Sequence, residues 1–320
     1  MLRRVARGAY ALGFRRTVRS IVRPAVHGDV LSLKNRQRLY NFFADDTITD
    51  DTVVATIRMP TGVTVRARLD LADEFCRTWY YWGYERYEPA VVRLLTALAR
   101  ERRAILEAGA NIGYYTLLMA TAQAEGGVVH SFEPRPDVFS RLSENVNLNA
   151  LASVQLNDAA VSDVAGSATL YLPDSGNREM ASLDRAFAPS TCSVDVRTIR
   201  LEEYCRANRL AIDLIKLDVE GSEVRALDGL GEVLRERWPD IVCEVLPQYE
   251  AALNAMLAGT PYRKFLITDA GLEERAEMVG SLDARDYYLT VSGFQGCRVP
   301  GSQGDVMNSG TLELCNPETL

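Results

Sequence analysis

Ile105-Leu106-Glu107-Ala108-Gly109-Ala110-Asn111-Ile112-Gly113 decides the fold: a short apolar run ends on a carboxylate and passes into small residues before a helical pattern begins. Gly109 and Gly113 let the backbone turn sharply and admit a ligand close to the main chain. Tyr114, Thr116, Leu117, Met119 and Ala120 then continue at helical rather than alternating spacing. The stretch predicts a strand, a turn and a helix, with a nucleotide-like ligand over the turn. Twenty residues past Gly113, a second apolar run, Val128-Val129-His130-Ser131-Phe132, ends on Glu133, where an acidic side chain can accept hydrogen bonds from both hydroxyls of a ribose.

Two consecutive strands each ending in Glu decide between the common ligands of such turns. A dinucleotide fingerprint needs glycines at the first, third and sixth positions; here these are Gly109, Asn111 and Tyr114, and Glu107 stands where a pyrophosphate would need positive potential. S-adenosylmethionine brings a sulfonium and an ammonium with no phosphate, so Glu107 suits it. A tight connection with no ligand is the plainer reading of a lone glycine-rich turn, and the second Glu weighs against it.

The chain has 320 residues, 47% of them hydrophobic, enough for one large α/β domain with a cap or for two modest domains. The formal charge of −7 conceals an asymmetry. Residues 1–40 hold ten Lys or Arg against Asp29 alone, so the remaining 280 carry about −16 by subtraction. A body this acidic argues against nucleic-acid backbone as a partner. Between Met1 and Pro24, Arg3, Arg4, Arg7, Arg15, Arg16 and Arg19 interleave with apolar residues and can form a basic amphipathic helix. Its longest uncharged run, Gly8 to Phe14, is too short for a signal-peptide core or a membrane span, which argues for a cytoplasmic location. Such a helix can lie on an anionic membrane through residues 1–24, cover a partner or pack on the body, and an organellar transit peptide has a similar pattern.

The six cysteines, Cys76, Cys192, Cys205, Cys243, Cys297 and Cys315, are widely spaced without a C-x-x-C pair and read as reduced thiols. With only His27 in the arm and His130 in a predicted buried strand, a histidine metal cluster is excluded. A His-based hydrolase would need one of these two. A general base must come from Asp, Glu, Lys or Tyr.

Residues 52–58 and 62–69 alternate around Met59-Pro60-Thr61-Gly62 and predict a β-hairpin. The aromatic run from Trp79 to Tyr87 follows, and it either packs or lines a pocket. Tyr87 and Glu88 are candidate site residues, and Pro89 opens a helix to about Arg100. After Glu133 a helix runs to about Asn149, and Val154 to Val161 reads as one strand. Ala168 to Leu172 resembles an inserted or edge strand, and the segment from Pro173 to Ser193 reads as a loop.

Ile212-Asp213-Leu214-Ile215-Lys216-Leu217-Asp218 carries much charge for a buried parallel strand. Lys216 and Asp218 share a face, and Asp218 falls at the carboxyl end, where open α/β sheets bind ligands. A strand from about Trp238 to Leu246 has Glu244 near its tip, and residues 262–267 and 286–292 complete about seven strands. Alternating strands and helices predict a doubly wound, mostly parallel seven-stranded sheet with an N-terminal helix and β-hairpin cap. The tail from Gly296 has no period and reads as loose.

With these residues placed, the chain resembles the FkbM-type S-adenosylmethionine-dependent methyltransferase family over roughly residues 85–250. The resemblance is carried by Glu88-Pro89, the stretch from Glu107 to Thr116, Phe132-Glu133-Pro134, and above all Asp213-Leu214-Ile215-Lys216-Leu217-Asp218-Val219-Glu220-Gly221-Ser222-Glu223. Glu107 departs from the family's usual Asp but keeps its charge. The resemblance implies a class I methyltransferase, Rossmann-like domain over 85–295, between a basic arm (1–50) with a hairpin and aromatic cap (51–84) and a loose tail (296–320). It implies that Glu107, Gly109, Asn111 and Gly113 surround the methionine moiety of S-adenosylmethionine, Glu133 the ribose, and Asp158-Ala159 the adenine, with Glu88 also at the cofactor.

It also implies methyl transfer to a hydroxyl of a sugar or secondary metabolite. Asp218 is the best-placed base, and Lys216 either orients it or acts as base if burial depresses its pKa. Asp218 with Glu244 can instead hold a divalent cation that activates the acceptor. The alternative for Lys216, Asp218, Glu220 and Glu223 is an ion-pair lattice with Glu220 and Glu223 charging the next helix, which for Glu223 is the preferred reading. The competing function is a non-catalytic protein of the same fold that binds a membrane or partner through its basic arm.

Overall fold

The computed structural model describes residues 52–173, 181–187, 191–281, 284–292 and 311–312. The basic arm with its expected helix, Cys297 and Cys315 lie outside the described residues. Those described fall into two compact units, one of 52–58 and 67–87, the other of 59–66 and 88 onward.

Alternation makes strands β1 (Thr52–Arg58) and β2 (Thr64–Asp70), which form a separate two-stranded sheet with Ala55, Ile57, Val65, Ala67 and Leu69 buried. Their turn closes through the Gly62 N–H, which donates to the Met59 carbonyl at 2.9 Å with Gly62 at φ +84°. Helix α1 (Glu74–Trp82) begins where the Asp73 carboxylate accepts the Cys76 N–H at 2.9 Å. It buries Trp79, Tyr80, Tyr81 and Trp82, and Phe75 meets Tyr87 edge-on at 4.8 Å. The aromatic run is thus packing within its own unit.

The larger unit follows the strand-helix alternation. Helix α2 (Pro89–Glu101) leads into β3 (Ala104–Ala108), α3 (Tyr114–Ala122), β4 (Val128–Phe132), α4 (Pro136–Leu148) and β5 (Val154–Asn157). Strands β6 (Ala160–Val161), β7 (Gly166–Leu172) and β8 (Cys192–Ile199) then form a small sheet of order β6-β8-β7. Helix α5 (Leu201–Ala207), β9 (Leu214–Leu217), α6 (Glu223–Asp228), α7 (Glu232–Arg237), β10 (Asp240–Glu244) and α8 (Glu250–Leu257) come next. The chain continues through β11 (Arg263–Thr268), β12 (Gly271–Arg275), β13 (Asp286–Thr290) and β14 (Thr311–Leu312).

The main sheet has the order β14-β12-β11-β13-β10-β9-β3-β4-β5. Pairing is parallel from β5 through β4, β3 and β9 to β10, and antiparallel from β10 to β14. Among the described residues it carries nine strands rather than the expected seven. The two additions are β12, whose Gly-Leu-Glu-Glu-Arg has too little apolar content to announce a strand, and β14, which lies in the tail read as loose. The expected single strand Val154–Val161 also divides: β5 ends at Asn157, and Ala160-Val161 pairs in the small sheet.

One face of the sheet, with Leu106, Ile215, Leu217, Ile241 and Cys243, packs on Leu201 and Cys205 of α5, Leu227 of α6, Val233 of α7 and Leu253 of α8. Helices α2 and α3 pack on each other and contribute nothing to that cluster, so helices cover both faces. Cys76, Cys205 and Cys243 are free thiols. No helix of the described residues is long and apolar enough to cross a membrane.

Candidate active site

The carboxyl ends of β3, β4 and β9 are tied together by main-chain groups. Gly109, Asn111 and Gly113 all hold positive φ, at +84°, +49° and +99°, so the chain turns back on itself before α3 begins. The N–H groups of Gly109 and Ala110 both donate to the Phe132 carbonyl, at 3.0 and 2.9 Å, and the Asp218 N–H donates to the Ala108 carbonyl at 3.0 Å. A Cβ on Gly109 would lie 1.8 Å from the Asp218 carbonyl oxygen, so only glycine fits between the two strand exits.

Within this frame Glu107 is fully buried. Its Oε2 accepts from the hydroxyls of Thr116 at 2.5 Å and Ser131 at 3.0 Å, while Oε1 is buried with no hydrogen-bond partner among the described residues. Burial pushes its carboxyl up to about 7, against the lowering effect of Thr116, Lys216 and Ser131. Glu133, also buried, accepts the Asn111 N–H at 3.0 Å on Oε2 and the Arg135 N–H at 2.9 Å on Oε1, and burial raises it to about 7. Each of its oxygens keeps a lone pair beyond these backbone bonds.

Lys216 and Asp218 meet as predicted for residues two apart on a strand, with Nζ 2.6 Å from Oδ2. The ammonium also lies 4.6 Å from the centre of the Tyr115 ring. Burial would lower the pKa of Lys216, but the charges of Asp218, Glu88 and Glu107 outweigh it and raise the value. A raised pKa favours the charged form of Lys216, the form that suits orienting Asp218. The Tyr115 hydroxyl donates to the Glu88 carboxylate, whose pKa is raised by burial and by Asp218. Glu88 thus stands with Lys216 and Asp218.

Around Asp218 the acidic residues crowd. One carboxylate oxygen from each of Asp218, Glu220 and Glu244 lies within 4.8 Å of the others. Arg285 Nε contacts Glu244 Oε1 at 2.8 Å. Burial and the neighbouring Asp218 push Glu220 up to about 9 and Glu244 to about 8; Asp286 rises to about 7 through burial, Glu88 and Asp218. Glu223 instead folds back on its own helix start, Oε1 accepting the N–H groups of Val219 at 3.2 Å and Gly221 at 3.3 Å. Asp158 is an exposed residue paired with Arg197 at 2.8 Å, while its neighbour Ala159 is fully buried. His130 sits mid-strand, its Nδ1 2.8 Å from the Tyr204 hydroxyl.

Sequence reasoning missed Tyr115, Arg285 and Asp286. Tyr115 lies inside the quoted motif, whereas Arg285 and Asp286 reach the site only because β13 pairs with β10 and sets Asp286 opposite Glu244. The donors present fit S-adenosylmethionine: an unpartnered buried carboxylate oxygen on Glu107 for a cation, two further lone pairs on Glu133 for hydroxyls, and a glycine turn that leaves the backbone open.

A family model described as Methyltransferase FkbM domain matches residues 107–271, just over half the chain. "Methyltransferase 1" of Beauveria bassiana is 31% identical over 161 residues, covering 44% of this chain and 62% of the relative. The "31-O-demethyl-FK506 methyltransferase FkbM" of Streptomyces tacrolimicus is 29% identical over 240 residues, covering 64% and 86%. The crystal structure of a methyltransferase FkbM from Methylobacillus flagellatus is 15% identical with a TM-score of 0.38, covering 59% of this chain and 44% of that one. The chain therefore spans less than two thirds of the Beauveria relative and less than half of the solved structure.

Proposed function

The chain belongs to the methyltransferase FkbM domain family, and from that premise we propose that it is an S-adenosylmethionine-dependent O-methyltransferase acting on a hydroxyl of a sugar or secondary metabolite. The observation that carries the proposal is Glu107, a buried carboxylate with one oxygen left without a donor among the described residues, at the tip of a strand that ends in a glycine turn. When bound, S-adenosylmethionine supplies an electrophilic methyl group on a sulfonium. Glu107 Oε1 would accept from its ammonium and Glu133 from the ribose hydroxyls, and Gly109 and Gly113 keep the turn free of side chains. Asp158 keeps only its place in the chain as support for adenine contact, since Arg197 holds its carboxylate.

Methyl transfer needs the acceptor oxygen in line with the methyl carbon and stripped of its proton near the transition state. Lys216 holds Asp218 Oδ2 and fixes the carboxylate, which leaves Oδ1 to take that proton. The sulfonium would supply the methyl group to that oxygen, its sulfur keeping the bonding pair. Incubating the protein with methyl-labelled cofactor and a panel of hydroxylated acceptors tests the assignment, with label appearing as an alkali-stable ether.

Glu133→Ala separates this reading from that of a non-catalytic binding protein. The variant removes a charged acceptor and also strands the Asn111 and Arg135 N–H groups, so cofactor affinity should fall by about 1.5–3 kcal/mol, or roughly 10–150-fold. Turnover at saturating cofactor should change far less. A binding protein working through its arm would keep its partner or membrane affinity, and loss of neither cofactor affinity nor turnover would favour it.

Glu107 also sets a pH dependence. Because its carboxyl is raised to about 7, it loses its charge as pH falls through that value, and with it the attraction for a cationic ligand. Calorimetric titration should find S-adenosylmethionine binding progressively weaker below about pH 7, approaching tenfold per unit, and Glu107→Gln should flatten the profile. A wild-type affinity that stays constant from pH 8 to pH 5.5 would contradict this role.

A further inference from the structure

Glu244 is the last residue of β10, and the parallel register that sets Cys243 beside Leu217 carries its side chain to the same sheet end as Asp218. Left-handed backbone at Glu220 and Gly221, φ +50° and +90°, turns the chain so that Glu220 joins them. The resulting separations, within 4.8 Å, are those of oxygens sharing one cation at about 2.0–2.6 Å.

A second observation points the same way. The Glu244 side chain is 9% exposed, and although Arg285 binds Oε1, Oε2 has neither solvent nor a hydrogen-bond partner among the described residues. A buried carboxylate oxygen without a donor is unfavourable unless something positive approaches it. Arg285 is the cation paired with Glu244 among the described residues, and Asp286 stands opposite Glu244 in the register, adding another carboxylate.

We propose that Asp218, Glu220 and Glu244 hold a divalent cation of the magnesium or manganese class, and that the acceptor's hydroxyl binds to it. The acceptor part rests on the methyltransferase reading above. Three carboxylates with no imidazole or thiolate among the donors select a hard cation, and three protein oxygens leave positions open for acceptor oxygens. The chemistry gives such an ion a use. A carboxylate is a weak base for an aliphatic hydroxyl whose pKa is close to that of water, about 15.7, and coordination lowers the latter. The O–H bond breaks with its electron pair staying on oxygen and its proton passing to solvent, in place of Asp218, which in this arrangement binds the cation. That oxygen then takes the methyl carbon as the carbon–sulfur bond breaks.

Electron paramagnetic resonance of free Mn²⁺, titrated with the full chain in the absence of donor and acceptor, tests the site. One saturable Mn²⁺ per chain, displaced by Mg²⁺, is expected. Glu244→Gln and Glu220→Gln should each weaken it by at least about tenfold while leaving S-adenosylmethionine binding within a few-fold. The cation site is overturned if folded protein binds S-adenosylmethionine yet shows no saturable uptake below about 1 mM Mn²⁺, or binds Mn²⁺ undiminished in both variants. The methyltransferase reading survives that outcome. Mn²⁺ uptake without S-adenosylmethionine binding would support the site and remove the reading on which its acceptor role rests.

Discussion

Asp218→Asn should lower turnover by about 10²–10⁴-fold while S-adenosylmethionine affinity stays within a few-fold of wild type. Asn keeps the shape of Asp and removes its charge, so the loss falls on activation of the acceptor, whether Asp218 takes the proton itself or holds a cation that weakens the O–H bond. Adding a chelator to the wild type divides these roles, because a carboxylate base needs no metal. Lys216, nearly buried and 2.6 Å away, loses its nearest anion in the variant, and Glu88 and Glu107 keep it partly compensated. Thermal unfolding is therefore measured alongside turnover. A variant that does not fold, or that turns over at the wild-type rate, places Asp218 in a structural ion-pair lattice and ends its catalytic assignment.

Gly109→Ala should be the most destabilising conservative change at the turn. Its methyl group would meet the Asp218 carbonyl oxygen at 1.8 Å, and φ +84° is unfavourable for any residue with a Cβ. Forced separation of two backbones contributes about 1–3 kcal/mol and the left-handed conformation about 1–2 kcal/mol, for a loss of roughly 2–5 kcal/mol. At about 2–4 °C per kcal/mol for a domain of this size, Tm should fall by roughly 4–20 °C, and cofactor binding should go with it. Gly62→Ala is the control, since Gly62 has the same φ of +84° but nothing within 4 Å of its added Cβ. It should lose only the conformational part, about 1–2 kcal/mol. Equal effects at the two positions would show that the close approach of β3 and β9 is not what requires glycine at 109.

The parts of this architecture that could be read from the sequence are those where local pattern and burial agree. Strand β3 has a continuous apolar run because it lies between two parallel neighbours, and the glycines beside it mark the turn. Lys216 and Asp218 share a strand face by the two-residue period, so their contact was visible in advance. Strand β12 was not, because Leu272 is its one large apolar residue and Glu273, Glu274 and Arg275 give it no apolar period. The break at Asp158-Ala159 was hidden by apolar residues on either side that serve two different sheets.

The site shows the same division. Glu107 and Glu133 declared themselves as charges at the ends of apolar runs. The carboxylate of Asp158 looked equivalent in sequence, whereas it is exposed and paired with Arg197, a partner from β8 that no local pattern announces. Arg285 and Asp286 belong to no motif and are brought beside Glu244 by antiparallel pairing across the sheet. The reading of Lys216 as a potential base depended on burial alone, whereas its pKa is set by the three carboxylates that surround it.

Isothermal titration of the folded, full-length chain with S-adenosylmethionine at pH 8 tests the central claim most directly. One saturable site per chain is predicted, with the bound ligand raising Tm. No detectable heat at high micromolar ligand from protein that unfolds cooperatively, with no shift in Tm, would contradict it.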